Sequence, residues 1–435
     1  MAHPAKYDWL IYIFCLFLAL FYFWGMPQVP FHPDESTQIY MSADFDQYVE
    51  NPLALAMSPG TELSREMVYR SLDAPLNRYL IGFARMITHT AGLAADWDWS
   101  LNWQQNQYEG AYPSVSLLSI ARLIPTLLIP LSICLFYFSV RKILPVAPAL
   151  FAACFLGLNP LVLLHARRAM SESVLLFGVI FFLWAISRAK INPILVGFSL
   201  AVAYNSKQTA ILLIPVGIIA VCMTVDEEQR LKNMLAQSGI LLAVFSTLTL
   251  ILNPYYWKAP LVAFSTGYQA RFLLTQLQLN DHLSGIKPGI FISFLSLVNN
   301  LFISPPAFSE IANFPASIEK NIQDYQSILP HIWGRGFFAG TLHLSIAFGG
   351  LYVMYKRFNN YFQSQKRVLV LIIVITITLS GGILYLLPIP WQRYIIPLLP
   401  LSAFWFTCGL LPIFDFLKSL IDVIKQRFIN LDPSL

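Results

Sequence analysis

Long apolar runs constrain this chain more than any other feature. Of its 435 residues, 57% are hydrophobic and 12% are charged, whereas a soluble domain carries about 25% charged residues. An α-helix needs roughly 20 apolar residues to cross a bilayer. Runs near that length predict about ten spanning helices, at residues 9–26, 117–140, 146–164, 173–187, 193–204, 209–223, 236–252, 337–355, 368–387 and 394–413.

This pattern predicts an all-α integral membrane protein that forms one domain over residues 1–435. The runs 173–187 and 193–204 are short, which indicates helices that are tilted, broken or sunk inside the bundle. No small-x-small cleavage site follows the first run, so we expect an uncleaved first span rather than a signal peptide. We expect no appended soluble domain. The five cysteines lie inside apolar runs, without zinc-ligand spacing and without implying disulfides.

Basic residues in short loops predict the orientation, because such loops favour the cytoplasmic side. With ten alternating spans, the basic residues that share this side are Arg141, Lys142, Arg188, Lys190, Arg230, Lys232, Lys356, Arg357, Lys366 and Arg367. Both termini are then cytoplasmic, and the tail 414–435 is an amphipathic cytoplasmic helix. Segments 27–116 and 253–335 become long extracytoplasmic loops with interfacial helices, and the apolar stretch 288–304 is interfacial or re-entrant.

The net charge of +5 comes from scattered basic residues, so a nucleic-acid partner is not expected. Two adjacent carboxylates, Asp34 and Glu35, follow the first span within His32-Pro33-Asp34-Glu35. A carboxylate pair at the rim of a bilayer costs free energy unless it is hydrated, paired or functional. The pair is therefore the first candidate for a functional site. Asp44-x-Asp46 also resembles a nucleotide-sugar motif, but we interpret it as a solvated loop.

Further charged groups are predicted on the same outer side, close to the membrane. They are His165, Arg168, Glu172, Lys207 and Arg393. Basic residues in short outer loops run against the usual charge bias, and an anionic partner such as phosphate would explain them. As an alternative, Arg168 and Arg393 could pair with Glu172 or Asp34 and only neutralise them.

Four motifs in order resemble a known class. They are the Asp34-Glu35 pair, the stretch from Ala121-Arg122-Leu123 to His165-Ala166-Arg167-Arg168 and Glu172, the stretch Ala203–Ala210 around Lys207, and the stretch Arg393–Pro400. Together they resemble the GT-C membrane glycosyltransferases that use polyprenyl-phosphate sugars, in particular family 39, with the protein O-mannosyltransferases and the lipid A aminoarabinose transferases. The quartet His32–Glu35 is also similar to the first-loop motif of the dolichol-phosphate-mannose-dependent transferases of the GPI-anchor and N-glycan pathways, so the acceptor stays open.

The resemblance implies sugar transfer from a polyprenyl-phosphate donor to a lipid, glycan or protein acceptor at the outer surface, with inversion. Asp34 would be the general base, and Glu35 would orient the acceptor or help hold a cation. Lys207, Arg168 and Arg393 would bind the donor phosphate. Glu172 would orient Arg168 or, with His165, hold a divalent metal cation. The surrounding partners would be membrane lipids, and a bacterial inner membrane is the expected location.

Two other hypotheses about the function stay open. The first is a transporter or lipid flippase with the charged residues lining a path, which predicts charges in mid-span and internal repeats. The charged groups lie instead at span ends on one predicted face, and this favours the transferase. The second is a non-catalytic subunit of a larger complex, which would leave the Asp34-Glu35 pair dispensable.

Overall fold

The structure is a computed structural model, which describes residues 7–60, 63–225, 229–283, 287–309, 315–386, 389 and 391–431. These residues form helices and no strand. The α-helices are α1 (Leu10–Gly25), α2 (Pro33–Tyr40), α3 (Ala43–Glu50), α4 (Arg65–Leu72), α5 (Leu76–Ile87), α6 (Trp103–Tyr108), α7 (Val115–Val140), α8 (Val146–Gly157), α9 (Pro160–His165), α10 (Ser171–Ser187), α11 (Pro193–Ser206), α12 (Leu213–Cys222), α13 (Arg230–Leu252), α14 (Pro260–Leu283), α15 (Ile290–Val298), α16 (Glu319–Gln326), α17 (Phe337–Arg357), α18 (Gln363–Leu386), α19 (Leu399–Gly409) and α20 (Leu411–Leu431).

The predicted all-α membrane architecture is confirmed, but the predicted number of ten spans is not. Among the described residues, five helices are long and apolar enough to cross a membrane: Leu10–Gln28, Val115–Val140, Arg230–Leu252, Phe337–Asn360 and Gln363–Tyr385. A sixth span is available if Gln392–Gly409 and Leu411–Ile424 are counted as one, bent by 47°. The other predicted spans coincide with shorter apolar helices, and residue 387 of the run 368–387 lies outside the described residues.

The short helices α10 and α11 lie inside the bundle, where most of the α10 side chains are buried. The two helices pack closely against each other, and α10 also packs on α7. A Cβ atom on Gly178 would lie 2.6 Å from the Cα atom of Ala203. Glycine therefore allows this close helix approach, as small residues do at helix interfaces in membranes.

The first predicted loop folds into helices α2 to α6. Asp44 lies on α3 and is buried, with Arg70 Nη2 2.6 Å from Oδ1 and Arg78 Nε 3.1 Å from Oδ2. Asp46 pairs with Arg85 at 3.3 Å. The interpretation of Asp44-x-Asp46 as a solvated loop is therefore wrong for Asp44. Its carboxylate joins three helices, because Arg70 lies on α4 and Arg78 on α5.

The second predicted loop is attached to the bundle through a buried arginine. Arg167 Nη1 donates to Nε2 of His331 at 3.0 Å, and its guanidinium lies 4.9 and 4.7 Å from the ring centres of Phe21 and Tyr22. Because arginine only donates, Nε2 of His331 accepts and Nδ1 carries the proton, which it donates to the Tyr325 carbonyl at 2.8 Å. The folded structure therefore requires a neutral His331.

Acidification should destabilise this attachment. Burial, together with the nearby Arg167 cation, lowers the pKa of His331 to about 4, against the partly opposing hydrogen bond to Tyr325. The stability that comes from neutral His331 is present above pH 6.5 and is lost as the pH falls towards 4. At pH 5, the free energy of unfolding is lowered by about 2 kcal/mol at most. We expect the melting temperature in detergent to fall more between pH 7 and pH 5 for the wild type than for His331→Gln. Equal falls would contradict this role.

Candidate active site

The acidic motif occupies the first turn of α2. The His32 side chain accepts a hydrogen bond from the Asp34 backbone N–H at 3.1 Å, and the Glu35 carboxylate accepts one from the His32 backbone N–H at 3.1 Å. Pro33 stands at the first helical position, where its missing N–H is not needed. Carboxylates are favoured at a helix N-terminus by the helix dipole. This local geometry sends the two neighbouring carboxylates in different directions.

Glu35 is completely buried, and both of its carboxylate oxygens accept hydrogen bonds. Arg122 donates to its two oxygens at 2.7 and 2.6 Å, and the Ala169 backbone N–H donates to Oε1 at 2.8 Å. Burial alone would raise the pKa of Glu35, but the Arg122 cation and these hydrogen bonds hold the pKa below its ordinary value. The remaining donor groups of Arg122 bind the Met26 and Val29 carbonyls at 3.0 Å each.

Arg122 was not among the residues predicted for the site. The sequence does give one indication, because Arg122 is a charged residue inside the apolar run 117–140. A charged residue within a membrane segment is by itself a reason to expect a functional role. Its contacts connect the end of α1, the acidic helix α2 and the long helix α7. Arg122 therefore determines where the acidic motif sits relative to the bundle.

Asp34 differs from its neighbour because about a third of its side chain is exposed. Its carboxylate accepts a hydrogen bond from Nη1 of Arg393. The Arg393 guanidinium lies 4.8 Å from the ring centre of Trp391 and 5.8 Å from that of Tyr394. The pairing of Arg393 with Asp34, considered above as an alternative, is thus observed.

A second ion pair lies beside the first. Lys207 follows the last residue of α11, and its Nζ lies 2.8 Å from Oε1 of the buried Glu172 in the first turn of α10. The same ammonium lies 4.8 Å from the ring centre of Tyr394. Tyr394 therefore contacts both Lys207 and Arg393, and this tyrosine joins the two ion pairs into one polar centre.

Two apolar grooves meet at Tyr394. One is a narrow cleft with a cavity volume of about 20 Å³, and its lining includes Lys207, Leu212, Leu379, Ile383 and Tyr394. The other is of similar size, about 20 Å³, and it shares Ile383 and Tyr394 with the first. An apolar groove whose lining includes a cation suits an amphiphile with an anionic head and a hydrocarbon tail.

Arg168 and His165 do not reach this open centre. Arg168 is buried and donates to the Pro30 carbonyl at 3.3 and 3.2 Å and to the Phe308 carbonyl at 2.9 Å. His165 is buried at the end of α9. Arg168 therefore supports the backbone before the acidic motif, and neither residue is among those that line the two grooves.

A metal ion does not fit the part of the chain that the structure describes. These residues contain no group of three or more His, Cys, Asp or Glu side chains that could hold one. The carboxylates of Asp34, Glu35 and Glu172 instead face Arg393, Arg122 and Lys207. The geometry gives no ligand set for the predicted divalent cation at Glu172 and His165, and no chemical step is derived through one.

Comparisons with known proteins agree with this description. Residues 116–257 match the family model described as dolichyl-phosphate-mannose-protein mannosyltransferase. No curated protein sequence gives a significant match to the chain. The apo crystal structure of the Archaeoglobus fulgidus oligosaccharyltransferase aligns with a TM-score of 0.51 and 14% identity, over 97% of this chain and 52% of that chain. The same archaeal protein has also been solved in complex with Zn and sulfate.

Two further structures are similar over part or most of the chain. The S. cerevisiae protein O-mannosyltransferase Pmt1-Pmt2 complex, bound to the sugar donor, aligns with a TM-score of 0.43 and 16% identity over 62% of this chain and 34% of that chain. ArnT from Cupriavidus metallidurans, bound to undecaprenyl phosphate, aligns with a TM-score of 0.38 and 12% identity over 93% of this chain and 78% of that chain.

The chain thus spans about a third of the yeast structure and about half of the archaeal one. The archaeal alignment nevertheless extends over nearly all of this chain, so the helical architecture is shared. The chain therefore shares the all-helical fold of the archaeal oligosaccharyltransferase structure, and its residues 116–257 are similar to the dolichyl-phosphate-mannose-protein mannosyltransferase family.

Proposed function

We propose that this protein transfers a sugar from a polyprenyl-phosphate donor to an acceptor hydroxyl at the extracytoplasmic face of the membrane, with inversion. The observation that carries the proposal is the polar centre at the groove junction. A partly exposed carboxylate, Asp34, contacts Arg393 there, and Lys207 is among the residues that line an apolar groove. The match to a mannosyltransferase family over residues 116–257 supports the same reaction class.

In the proposed reaction, Asp34 removes the proton of the acceptor hydroxyl while that oxygen bonds to the anomeric carbon. The bond from the anomeric carbon to the phosphate oxygen breaks on the opposite face, and its electron pair leaves with the lipid phosphate. Lys207 and Arg393 stabilise the charge of that leaving group. Arg393 must then exchange part of its contact with Asp34 for the phosphate.

The buried residues receive positioning roles. Glu35 has its oxygens filled by Arg122, Ala169 and His32, so we assign it to holding α2 in place rather than to binding acceptor or metal. Arg168 likewise fixes the segment before α2 through the Pro30 carbonyl. The basic loop pattern supports cytoplasmic termini and an extracytoplasmic site, and we propose a bacterial inner membrane as the location.

Binding of polyprenyl monophosphate to the purified protein tests the donor site. We expect Lys207→Met to weaken this binding by roughly 10- to 100-fold, because a hydrogen bond to a charged group contributes about 1.5–3 kcal/mol. The double variant K207M/E172Q avoids leaving Glu172 buried without its partner. The matched control is Lys258→Met, which removes an exposed lysine that precedes α14.

The same assay with polyprenyl alcohol separates the phosphate from the tail. Wild-type protein should prefer the phosphate over the alcohol, and the Lys207 variants should lose most of that preference. Equal affinity of the wild type for the two lipids would contradict a phosphate site, and unchanged affinity in both Lys207 variants would remove Lys207 from it.

A further inference from the structure

Gln392 directly precedes Arg393 in the chain and is buried, with 3% of its surface exposed. Its Oε1 accepts a hydrogen bond from the Ala307 backbone N–H at 2.6 Å, and its Nε2 donates to the Pro305 carbonyl at 3.0 Å. A longer contact of 3.5 Å joins Nε2 to the Ser304 carbonyl. Both ends of the amide therefore have main-chain partners, and these partners belong to the second long segment.

Residues 304–308, which we call the strap, are held at their other end by Arg168. The Phe308 carbonyl accepts a hydrogen bond from Nη2 of Arg168 at 2.9 Å, and the same guanidinium donates to the Pro30 carbonyl at 3.3 and 3.2 Å. The Phe308 side chain is buried in a small apolar cluster. The strap thus connects the turn that carries Gln392 with the chain that leads into the acidic helix α2.

The composition of the strap makes it stiff. Pro305 and Pro306 stand in its middle, where each ring fixes φ near −65° and restricts the residue before it to extended conformations. Ser304 accordingly has φ −60° and ψ 137°, and its backbone N–H donates to the Asn299 carbonyl at 2.8 Å. Because proline-rich segments act as semi-rigid spacers, the strap fixes the distance between its two attachment points.

The local helix geometry connects Gln392 with the direction of Arg393. Gln392 begins a 3₁₀-helix, in which successive side chains are about 120° apart. The two side chains therefore face different directions: Gln392 binds the strap, and Arg393 contacts Asp34 in the polar centre. As long as the amide of Gln392 is held, this turn cannot rotate about its axis and carry the guanidinium away from Asp34.

We propose that Gln392 is a positioning residue for the donor phosphate, which through the strap holds the Arg393 guanidinium opposite Asp34. This inference rests on the proposed role of Arg393 in binding the phosphate. In that role Arg393 exchanges part of its contact with Asp34 for the phosphate, so its backbone must stay in place while its side chain changes partner. The hydrogen bonds of Gln392 meet this requirement, because they are made to the main chain of the strap.

A double-mutant cycle in donor binding separates positioning from a general loss of structure. The variants are Gln392→Met, Arg393→Met and their combination in the full chain, with polyprenyl monophosphate as the probe and polyprenyl alcohol as the reference. Gln392→Met should weaken phosphate binding by roughly 5- to 10-fold, because the apparent affinity falls with the fraction of molecules in which Arg393 is in place. The affinity for the alcohol should not change. In the Arg393→Met background, the same change should have no further effect, since no guanidinium is left to position.

Asn106→Leu provides the matched control. Asn106 is a buried amide on α6 that likewise holds a loop through main-chain hydrogen bonds. Its Oδ1 accepts from the Asp98 backbone N–H at 2.8 Å, and its Nδ2 donates to the Asp98 carbonyl at 2.9 Å. This variant should lose stability without losing affinity for the phosphate. Gln392→Asn, which is shorter by one methylene, takes the place of Gln392→Met in the cycle if the latter does not insert.

Two outcomes would overturn the positioning role and leave the proposed function standing. The first is a wild-type preference for the phosphate that Gln392→Met leaves intact. The second is an equal loss of affinity with and without Arg393, because Gln392 would then act on the fold as a whole. If the wild type instead binds the phosphate and the alcohol equally, the phosphate site itself is contradicted, and the role of Gln392 is overturned with it.

Discussion

Replacing Asp34 by Asn should reduce the turnover number for sugar transfer by at least about 100-fold, because a positioned general base contributes about 10²–10⁴ to the rate. The amide keeps the size of the side chain but cannot take the proton of the acceptor hydroxyl. Binding of polyprenyl monophosphate should persist, since Lys207 and Arg393 stay in place. The measurement is transfer from a lipid-linked sugar donor by purified protein, together with donor binding.

The matched control for this change is Asp46→Asn. Asp46 belongs to the same segment, is partly exposed and pairs with an arginine, Arg85, as Asp34 pairs with Arg393. It differs from Asp34 in lying outside the polar centre. Transfer by Asp46→Asn should stay close to that of the wild type. Near-normal turnover of Asp34→Asn, in protein that inserts and melts normally, would remove Asp34 from the role of base.

Replacing Arg122 by Met should lower the free energy of unfolding by about 3–5 kcal/mol, because it leaves the Glu35 carboxylate buried without its cation. The variant also loses the hydrogen bonds to the Met26 and Val29 carbonyls. Transfer should fall with stability, since α2 then loses its attachment to α7. Thermal unfolding in detergent measures the first effect.

Two companion variants distinguish the buried pair from a general effect of lost charge. Arg357→Met breaks the exposed ion pair with Asp415 and should cost at most about 1 kcal/mol. Arg122→Met combined with Glu35→Gln should recover part of the loss, because no buried charge is then left unpaired. If Arg122→Met melts like Arg357→Met, the buried pair does not hold the acidic motif in place.

Local patterns predicted much of the fold and part of the site. Apolar run length predicted where the membrane helices lie, because crossing a bilayer imposes a minimum length on each helix. The same criterion could not establish the number of spans, since short helices such as α10 are buried by neighbours and not by lipid. Asp44 was misread because the two arginines that bury it lie on other helices.

The sequence by itself determined that this is a helical membrane protein with a carboxylate pair directly after its first span, because composition and run length act through local rules. Only the tertiary structure decided which of the two carboxylates is exposed to solvent. Glu35 meets Arg122 from 87 residues away and is buried, whereas Asp34 meets Arg393 from 359 residues away and stays partly exposed. Adjacent residues on one helix turn point in different directions, so only the packing of distant helices could assign one to the interior and the other to the polar centre.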